Sequence, residues 1–184
     1  MRIISGALRG KKLHPFKGAN IRPTSDRTRE AVFNILANRI PGAHVLDLFA
    51  GSGAMGIEAL SRQAASATFV EKAPAAIALI RKNISTCGLG AKARIIQWNI
   101  EPSLACLDTW QPPFDLVFLD PPYGHSLAKP ALLHLIQTDA LAADACLVLE
   151  HGRTEQLSLP PDHFQLGDQR RYGKTLVSFL NYML

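Results

Sequence analysis

The amino-acid sequence predicts an α/β fold of the Rossmann-like kind, with helices on both faces of a mostly parallel, seven-stranded sheet. Short apolar runs alternate with helical segments between residues 44 and 151. These runs contain few polar residues, as expected for parallel strands that are buried on both faces. The last part of the chain instead contains two strand-like segments around Tyr172-Gly173-Lys174, a pattern that predicts a C-terminal β-hairpin.

Local signals predict the individual elements. Thr24-Ser25-Asp26 offers helix-capping side chains, Pro74 suits the first turn of a helix, and Cys87-Gly88 suits a helix end. A glycine-bearing turn at residues 6–10 predicts a short N-terminal hairpin. The predicted helices run from the 24–26 cap to residue 37 and over 53–63, 74–86 and 130–137; the predicted strands are 44–50, 67–71, 92–98, 114–120, 145–150, 164–171 and 175–182.

The chain of 184 residues has the size expected for one domain with a small extension. We therefore predict a basic N-terminal hairpin extension at residues 1–23 and one main domain at residues 24–184. No apolar run approaches the roughly 20 residues that a membrane span requires, and the first residues are too few and too polar for a signal peptide. We expect a cytoplasmic protein with no membrane partner.

Three cysteines and six histidines are scattered along the chain. They show neither the CxxC nor the HxxxH spacing that is typical of metal sites. We expect the cysteines to be reduced and the protein to bind no metal.

Positive charge is concentrated near the N-terminus. Residues 1–39 contain nine Lys and Arg residues and two acids, a net charge of +7, whereas the rest of the chain carries −2. A basic segment on a nearly neutral body is typical of proteins that bind nucleic acid, and a merely solvated basic surface is the alternative. The candidate RNA-binding residues are Arg2, Arg9, Lys11, Lys12, Arg22, Arg27 and Arg29.

The first predicted strand leads into a glycine-rich loop of the GxGxxG type at residues 51–56, and Glu71 follows Gly51 by 20 residues. Such a loop lets a ligand approach the backbone closely, and the acid can accept hydrogen bonds from two ribose hydroxyls. NAD(P) and S-adenosylmethionine both carry this ribose. Asp47, just before the glycines, would repel a pyrophosphate but suits the ammonium group of a methionine moiety, so the sequence favours S-adenosylmethionine.

A further polar position follows the third predicted strand. Asn99, next to Ile100, could accept a hydrogen bond from the adenine amino group, and a polar loop residue without a ligand is the alternative. The predicted cofactor-binding residues are Asp47, Phe49, Ala50, Gly51, Ser52, Gly53, Glu71, Lys72, Asn99, Ile100 and Asp120.

The fourth predicted strand ends in Asp120-Pro121-Pro122-Tyr123, at the edge where open α/β sheets bind ligands. The two prolines lack N–H groups, so the loop presents acceptors, namely the Asp120 carboxylate and the Pro121 carbonyl. Two acceptors can hold both hydrogens of an amino group on a base and aim its lone pair at a methyl donor. Tyr123 offers a flat face for stacking the base. These four residues are the predicted catalytic residues.

Together with the glycine-rich segment, the loop at residues 120–123 resembles that of class I amino-methyltransferases, which act on adenine, cytosine or guanine. The resemblance narrows at the N-terminus, where segments 2–6, 9–13 and 22–30 are similar to the bacterial 16S ribosomal RNA guanine-N2 methyltransferases that modify guanine-966. It covers nearly the whole chain. One departure concerns Asn99, because many class I methyltransferases carry an acid at that position.

The resemblance implies that residues 24–184 form a class I methyltransferase domain that uses S-adenosylmethionine and releases S-adenosylhomocysteine. It also implies that the partner is 16S rRNA, within the small ribosomal subunit or an assembly intermediate, and that the chain acts as a monomer. The choice of guanine N2 over adenine N6 rests on this resemblance alone.

Three alternatives remain open. A DNA or RNA adenine-N6 methyltransferase would share the core motifs, although no separate target-recognition domain is visible in the sequence. A non-catalytic nucleotide-binding RNA-binding protein would not need an intact Asp-Pro-Pro-Tyr loop. A small-molecule dehydrogenase would explain the glycines, but neither Asp47 nor the basic segment.

Overall fold

The computed structural model describes residues 1–16, 25–122, 127–155 and 159–183. The helices are α1 (Asp26–Ile35), α2 (Ala54–Ser61), α3 (Pro74–Cys87) and α4 (Ala128–Ile136), with short 3-10 turns at Gly90–Lys92 and Ala105–Leu107. The strands are β1 (His44–Leu48), β2 (Ser66–Glu71), β3 (Ala93–Gln97), β4 (Phe114–Leu119), β5 (Leu141–Gly152), β6 (Phe164–Tyr172) and β7 (Thr175–Tyr182).

The strands of the described residues form one seven-stranded sheet in the order β3-β2-β1-β4-β5-β7-β6. Strands β1 to β5 are parallel, whereas β7 pairs antiparallel with both β5 and β6. The predicted mostly parallel sheet with a C-terminal hairpin is confirmed. The chain runs from β1 outward to β3 and then returns to place β4 on the other side of β1. Open α/β sheets bind ligands where the strand order reverses in this way, which here is at the carboxyl ends of β1 and β4.

Side chains of successive strand positions alternate between two hydrophobic cores. Val45, Phe118 and Val148 pack with α1, α2 and α3 on one face, while Leu46 and Leu147 pack with α4 on the other. The prediction of helices on both faces is confirmed, and burial on both faces explains why the strands are continuous apolar runs. Among the described residues, no helix combines the length and the apolar character that crossing a bilayer demands.

Local capping fixes several boundaries as expected. The Ser25 hydroxyl accepts the backbone N–H of Thr28 at 3.1 Å where α1 begins, and α3 has Pro74 in its first turn. Strand β5 differs, because it begins at Leu141 rather than at residue 145. A bulge, at which Asp144 has a φ of +59°, lets the strand continue through a less apolar stretch.

The N-terminal segment, residues 1–16, folds back on itself through an antiparallel bridge between Arg2 and Lys12. Ile3 and Leu13 are buried in the core that also contains residues of α1 and α2. The segment is therefore packed against the main body of the protein through a shared hydrophobic core. The predicted domain boundary at residue 23 lies outside the described residues.

Candidate active site

The glycine-rich loop joins β1 to α2 through several left-handed backbone conformations. Phe49, Gly51 and Gly53 have φ values of +57°, +54° and +75°. Glycine adopts such values without steric cost, whereas Phe49 is a non-glycine residue that the turn holds in a sparsely populated region. A Cβ atom added at Gly53 would lie 3.3 Å from the Phe69 ring. The loop thus needs glycine at this position for its conformation and for its packing.

Asp47 lies on β1 beneath this loop and is 4% exposed. Its Oδ2 atom accepts the backbone N–H of Gly56, in α2, at 2.9 Å. Burial raises the pKa of Asp47 to about 7, and the charge of Glu71 acts in the same direction, while the hydrogen bond from Gly56 opposes both effects. A cation bound beside Asp47 would stabilise its ionised form, as the predicted contact with an ammonium group requires.

Glu71, at the end of β2, also binds the backbone of the glycine-rich loop. Its Oε2 atom accepts the N–H of Gly51 at 3.0 Å, and its Oε1 atom accepts the N–H groups of Lys72 and Ala73 at 2.9 Å each. An ionised carboxylate has roughly four lone-pair positions. Glu71 therefore has capacity for about one further donor, so a ribose would share this carboxylate with the backbone.

The residues predicted to face the adenine follow β3, the neighbour of β2. Asn99 is exposed, and its Oδ1 atom accepts the N–H of Glu101 at 3.3 Å. Ile100 is buried in the core on the α4 side of the sheet. Lys72, another predicted cofactor contact, pairs its ammonium group with Glu101. These residues lie at the carboxyl edge of the sheet, and their contacts with a ligand stay predictions.

Strand β4 delivers Asp120 to the same edge, directly after Leu119. Asp120 and Pro122 are exposed, whereas Pro121 is buried. The loop therefore presents the Asp120 side chain while the next residue anchors the backbone. Tyr123, the fourth predicted catalytic residue, lies outside the described residues.

A cleft at the carboxyl ends of β1, β4 and β5 brings Asp47 and Asp120 together. Most of its wall is apolar, and the charged side chains among the described lining residues are acids. The described lining residues are Val32, Asp47, Met55, Phe118, Leu119, Asp120, Val148, Glu150 and Val177. Nowhere in the described parts of the chain are three or more His, Cys, Asp or Glu side chains grouped so that they could hold a metal ion.

Glu150, near the end of β5, is a cleft residue that reasoning from the sequence missed. The available signal was an acid at the carboxyl end of an apolar run, the same pattern that identified Asp120. Leu149 of β5 pairs with Leu119, the last residue of β4, so Glu150 and Asp120 are the residues that follow this pair in the two segments.

The RNA-binding prediction is wrong for Arg29. This residue is 1% exposed, and its guanidinium donates to the Arg2 carbonyl and to Asp26, with Nε lying 4.0 Å from Glu58. Arg29 therefore links α1, α2 and the N-terminal segment from inside the protein, and it cannot reach a phosphate. Burial lowers the pKa of Arg29, while the charges of Asp26 and Glu58 act in the opposite direction.

Most of the other predicted RNA-binding residues are exposed. The exposed ones are Arg2, Arg9, Lys11, Lys12 and Arg27, and Arg22 lies outside the described residues. The N-terminal segment runs alongside α2. Met1 Sδ lies 4.0 Å from Ser52 Oγ near the start of this helix, and the Ala7 N–H donates to the Ser61 carbonyl at its end. The contacts of the segment's basic side chains with RNA stay predictions.

Comparison with known proteins relates this architecture to a family. The family model described as Conserved hypothetical protein 95 matches residues 1–181. The ribosomal RNA small subunit methyltransferase D of Escherichia coli (strain K12) is 38% identical over 175 residues, which cover 95% of this chain and 86% of that protein. The protein of the same name from Haemophilus influenzae is 37% identical over 183 residues, which cover 99% of this chain and 93% of that protein.

The fold is shared as well as the sequence. The solved structure of yhhF from Escherichia coli superposes with a TM-score of 0.87 at 36% identity, and the match covers 100% of this chain and 98% of that chain. The similarity therefore includes the N-terminal segment and the C-terminal hairpin as well as the strands whose carboxyl ends form the cleft. The chain belongs to the Conserved hypothetical protein 95 family and is a relative of the ribosomal RNA small subunit methyltransferases D.

Proposed function

We propose that this chain is an S-adenosylmethionine-dependent methyltransferase that modifies the exocyclic N2 amine of guanine-966 in 16S rRNA. The relatives named ribosomal RNA small subunit methyltransferase D support the RNA substrate. One observation supports the chemistry most strongly. Asp120, which precedes two prolines, lines the same cleft as the buried carboxylate of Asp47 beneath the glycine-rich loop.

The charges around the loop suit S-adenosylmethionine better than a dinucleotide. Asp47 and Glu71 both bond to the backbone around the loop, at Gly56 and Gly51, and two acids favour a cation over a pyrophosphate. We assign Asp47 to the ammonium group and Glu71 to the ribose. The remaining proposed cofactor contacts are Phe49, Ala50, Ser52, Gly53, Lys72, Asn99, Ile100 and Asp120. When bound, S-adenosylmethionine supplies a methyl group on a positively charged sulfur and leaves as S-adenosylhomocysteine.

The loop after β4 acts on the target amine. In this proposal the Asp120 carboxylate and the Pro121 carbonyl accept its two N–H groups and orient the nitrogen lone pair for attack. Burial of Pro121 limits the freedom of the loop, and Pro122 supplies no competing N–H donor. The amine loses one proton as its bond to the methyl carbon forms, and Asp120 or water accepts that proton. Tyr123 is proposed to stack on the base.

The basic surface binds the rest of the substrate in this proposal. The exposed side chains of the N-terminal segment, together with Arg22 and Arg27, contact rRNA phosphates and thereby position the RNA. The guanine must leave its stack to enter the cleft, which costs a few kcal/mol and costs least where the base already lies in a loop. The substrate is the small ribosomal subunit or an assembly intermediate, so the reaction takes place in the cytoplasm, with the enzyme acting as a monomer.

Mass spectrometry of nucleosides tests this proposal directly. The purified chain is incubated with S-adenosylmethionine and with 16S rRNA or small subunits that lack the modification. We expect N2-methylguanosine, and we expect Asp120→Ala to lower the rate by at least about 100-fold, since it removes an acceptor from the reacting amine. Thermal unfolding of the variant checks that its fold is intact.

Two other outcomes would replace the proposal. Because Asp120 and Pro121 could hold the amine of any base, formation of N6-methyladenosine would identify an adenine-N6 methyltransferase instead. Tight binding of NADH together with no binding of S-adenosylhomocysteine would reject the proposed cofactor.

A further inference from the structure

Glu150 and Asp120 both follow the last residue pair that β4 and β5 share at the carboxyl edge of the sheet. Strands β4 and β5 are parallel, and Leu119 pairs with Leu149. Glu150 follows this pair within β5, and Asp120 is the first residue after β4, so both lie at the same carboxyl edge of the sheet, where neighbouring strands are about 4.8 Å apart. Both side chains line the cleft, on the same face of the sheet as Val148.

The composition of the cleft indicates what kind of group it binds. Its apolar wall includes Val32, Phe118 and Val177, and its charged side chains among the described residues are carboxylates. Ionised carboxylates accept hydrogen bonds and do not donate them. A cleft of this kind suits a flat ring that carries several N–H donors along one edge.

Guanine and adenine differ along the edge that such a cleft would contact. Guanine carries an N1–H next to its N2 amine, so two adjacent atoms of its Watson–Crick edge are donors. Adenine carries an amine at C6, but its N1 atom is an acceptor. Enzymes that act on an unstacked base identify it by hydrogen bonds to this edge. A carboxylate oxygen that faces N1 can accept the N1–H of guanine, but it forms no hydrogen bond with the N1 acceptor of adenine.

We propose that Glu150 selects guanine, because its carboxylate accepts the N1–H while Asp120 and Pro121 hold the N2 amine. This inference rests on the proposed function and adds to it the residue that distinguishes the two purines. Asp120 and Glu150 each also take part in an interaction within the protein. A carboxylate has about four lone-pair positions, so it can accept from a base in addition.

The sharpest test uses 2-aminopurine at the target position of the RNA. This base keeps the N2 amine of guanine, but its N1 atom carries a lone pair instead of a hydrogen. Wild-type protein should therefore methylate guanine with a kcat/KM at least about tenfold higher than 2-aminopurine. Glu150→Gln supplies an amide N–H that can donate to the N1 lone pair, so it matches 2-aminopurine.

For Glu150→Gln we expect the kcat/KM for guanine to fall by about 10- to 100-fold and the guanine preference over 2-aminopurine to disappear or reverse. Both substrates are measured on the same preparation, so a reduced folded fraction cancels from the ratio. Glu150→Asp keeps the acceptor and should keep the guanine preference at a lower rate. Glu155→Gln removes the same charge beyond the end of β5, outside the lining residues, and should keep the wild-type ratio.

The possible failures are distinguishable. A wild-type ratio of guanine to 2-aminopurine in Glu150→Gln would overturn the role of Glu150, while N2-methylguanosine from the wild-type protein would leave the proposed function standing. Absence of N2-methylguanosine from the wild-type reaction would overturn both.

Discussion

Asp47 destabilises the folded protein when it is ionised and no cation is bound. Its pKa is raised from 3.8 to about 7, first by burial and then by the charge of Glu71. The unfolded chain releases this proton near pH 4, about 3 pH units below the folded protein. Folding stability therefore falls as the pH rises from about 4 to about 7, and it stays low above that range. Below about pH 4, both states are protonated and Asp47 has no effect.

Replacing Asp47 with Asn tests this electrostatic role. The amide oxygen can still accept the Gly56 N–H, but the buried charge is gone, so the ligand-free variant should melt roughly 5–10 °C higher than wild type at pH 8. The difference should vanish near pH 4. The same variant should bind S-adenosylhomocysteine at least about tenfold more weakly, because the proposed ammonium partner is lost. Thermal unfolding across this pH range and calorimetry provide the measurements, and a lower melting temperature at pH 8 would contradict the account.

Arg29 shows that a charge count along the sequence cannot distinguish a buried basic residue from an exposed one. The count grouped it with the basic N-terminal residues, although the structure buries it. A second pattern in the sequence was informative, because Arg29, Val32, Phe33 and Leu36 have the spacing of one helix face. All four are buried, so helical periodicity was a better guide to this residue than its charge.

At the scale of elements, Asn83 on α3 connects the N-terminal segment to the glycine-rich loop. Its Oδ1 atom accepts the N–H of His14 at 2.8 Å, and its Nδ2 atom donates to the carbonyls of Ser52 at 3.0 Å and His14 at 3.3 Å. The side chain is fully buried, so solvent cannot readily replace these bonds. The segment predicted to bind RNA and the loop predicted to bind the cofactor thus share one side chain.

Replacing Asn83 with Leu, a side chain of similar size, should destabilise the protein by about 2–5 kcal/mol because buried backbone groups lose their partners. It should also weaken binding of S-adenosylhomocysteine by about tenfold, since the Ser52 carbonyl loses a donor that fixes the loop. Urea unfolding measures the first effect, and calorimetry measures the second.

Ser61 on α2 provides the matched control. Its hydroxyl accepts the N–H of Leu8 at 3.0 Å and donates to the Ser5 carbonyl at 2.6 Å, at the turn of the N-terminal segment. Ser61→Ala should cost about 1–2 kcal/mol of stability and leave the affinity for S-adenosylhomocysteine unchanged. Equal weakening of that affinity by both variants would argue against a specific connection through Asn83.

The exposed pair Lys11 and Lys12 allows the basic surface to be tested. Replacing both with Ala should weaken RNA binding and reduce the slope of log affinity against log salt by up to about 2, because each phosphate contact releases counterions. The double variant Lys82→Ala, Lys92→Ala removes two exposed charges outside the N-terminal segment and should change the slope less. An unchanged slope for the Lys11 and Lys12 variant would remove this surface from the RNA interface.

Local signals predicted the order and approximate bounds of the helices and strands, because caps and apolar runs are properties of neighbouring residues. The start of β5 was missed for a physical reason. Its first residue, Leu141, enters the sheet by pairing with Phe114 of β4, and pairing between distant segments leaves no local pattern in the sequence. The bulge near Asp144 obscured the strand further, since it interrupts the alternation of side chains.

At the scale of the whole molecule, the order of the strands decides which side chains meet. Parallel strands share a carboxyl edge, so the sequence predicted that the glycine-rich loop and Asp120 lie at the same edge. The position of β4 between β1 and β5 is a long-range property, and it brings Asp120 near both Asp47 and Glu150. For this reason the sequence identified two of the three acids of the cleft and missed the third.

The molecule also separates its charges by location. The chain has a formal net charge of +5, and its N-terminal segment exposes several basic side chains, yet the charged residues described in the cleft are acids. A basic exterior attracts RNA phosphates, while an acidic cleft favours a cationic cofactor and the N–H donors of a base. This separation suits a protein that must bind a polyanion and a cation at the same time.

The proposed methylation of N2 of one guanine in 16S rRNA can be tested in cells. Small-subunit rRNA is isolated from cells with the gene, from cells without it, and from deleted cells that express the Asp120→Ala variant. Mass spectrometry of RNA fragments should find N2-methylguanine at guanine-966 in the first sample and unmodified guanine at that position in the other two. The same N2-methylguanine in all three samples, or loss of a methylated adenine instead, would contradict the account.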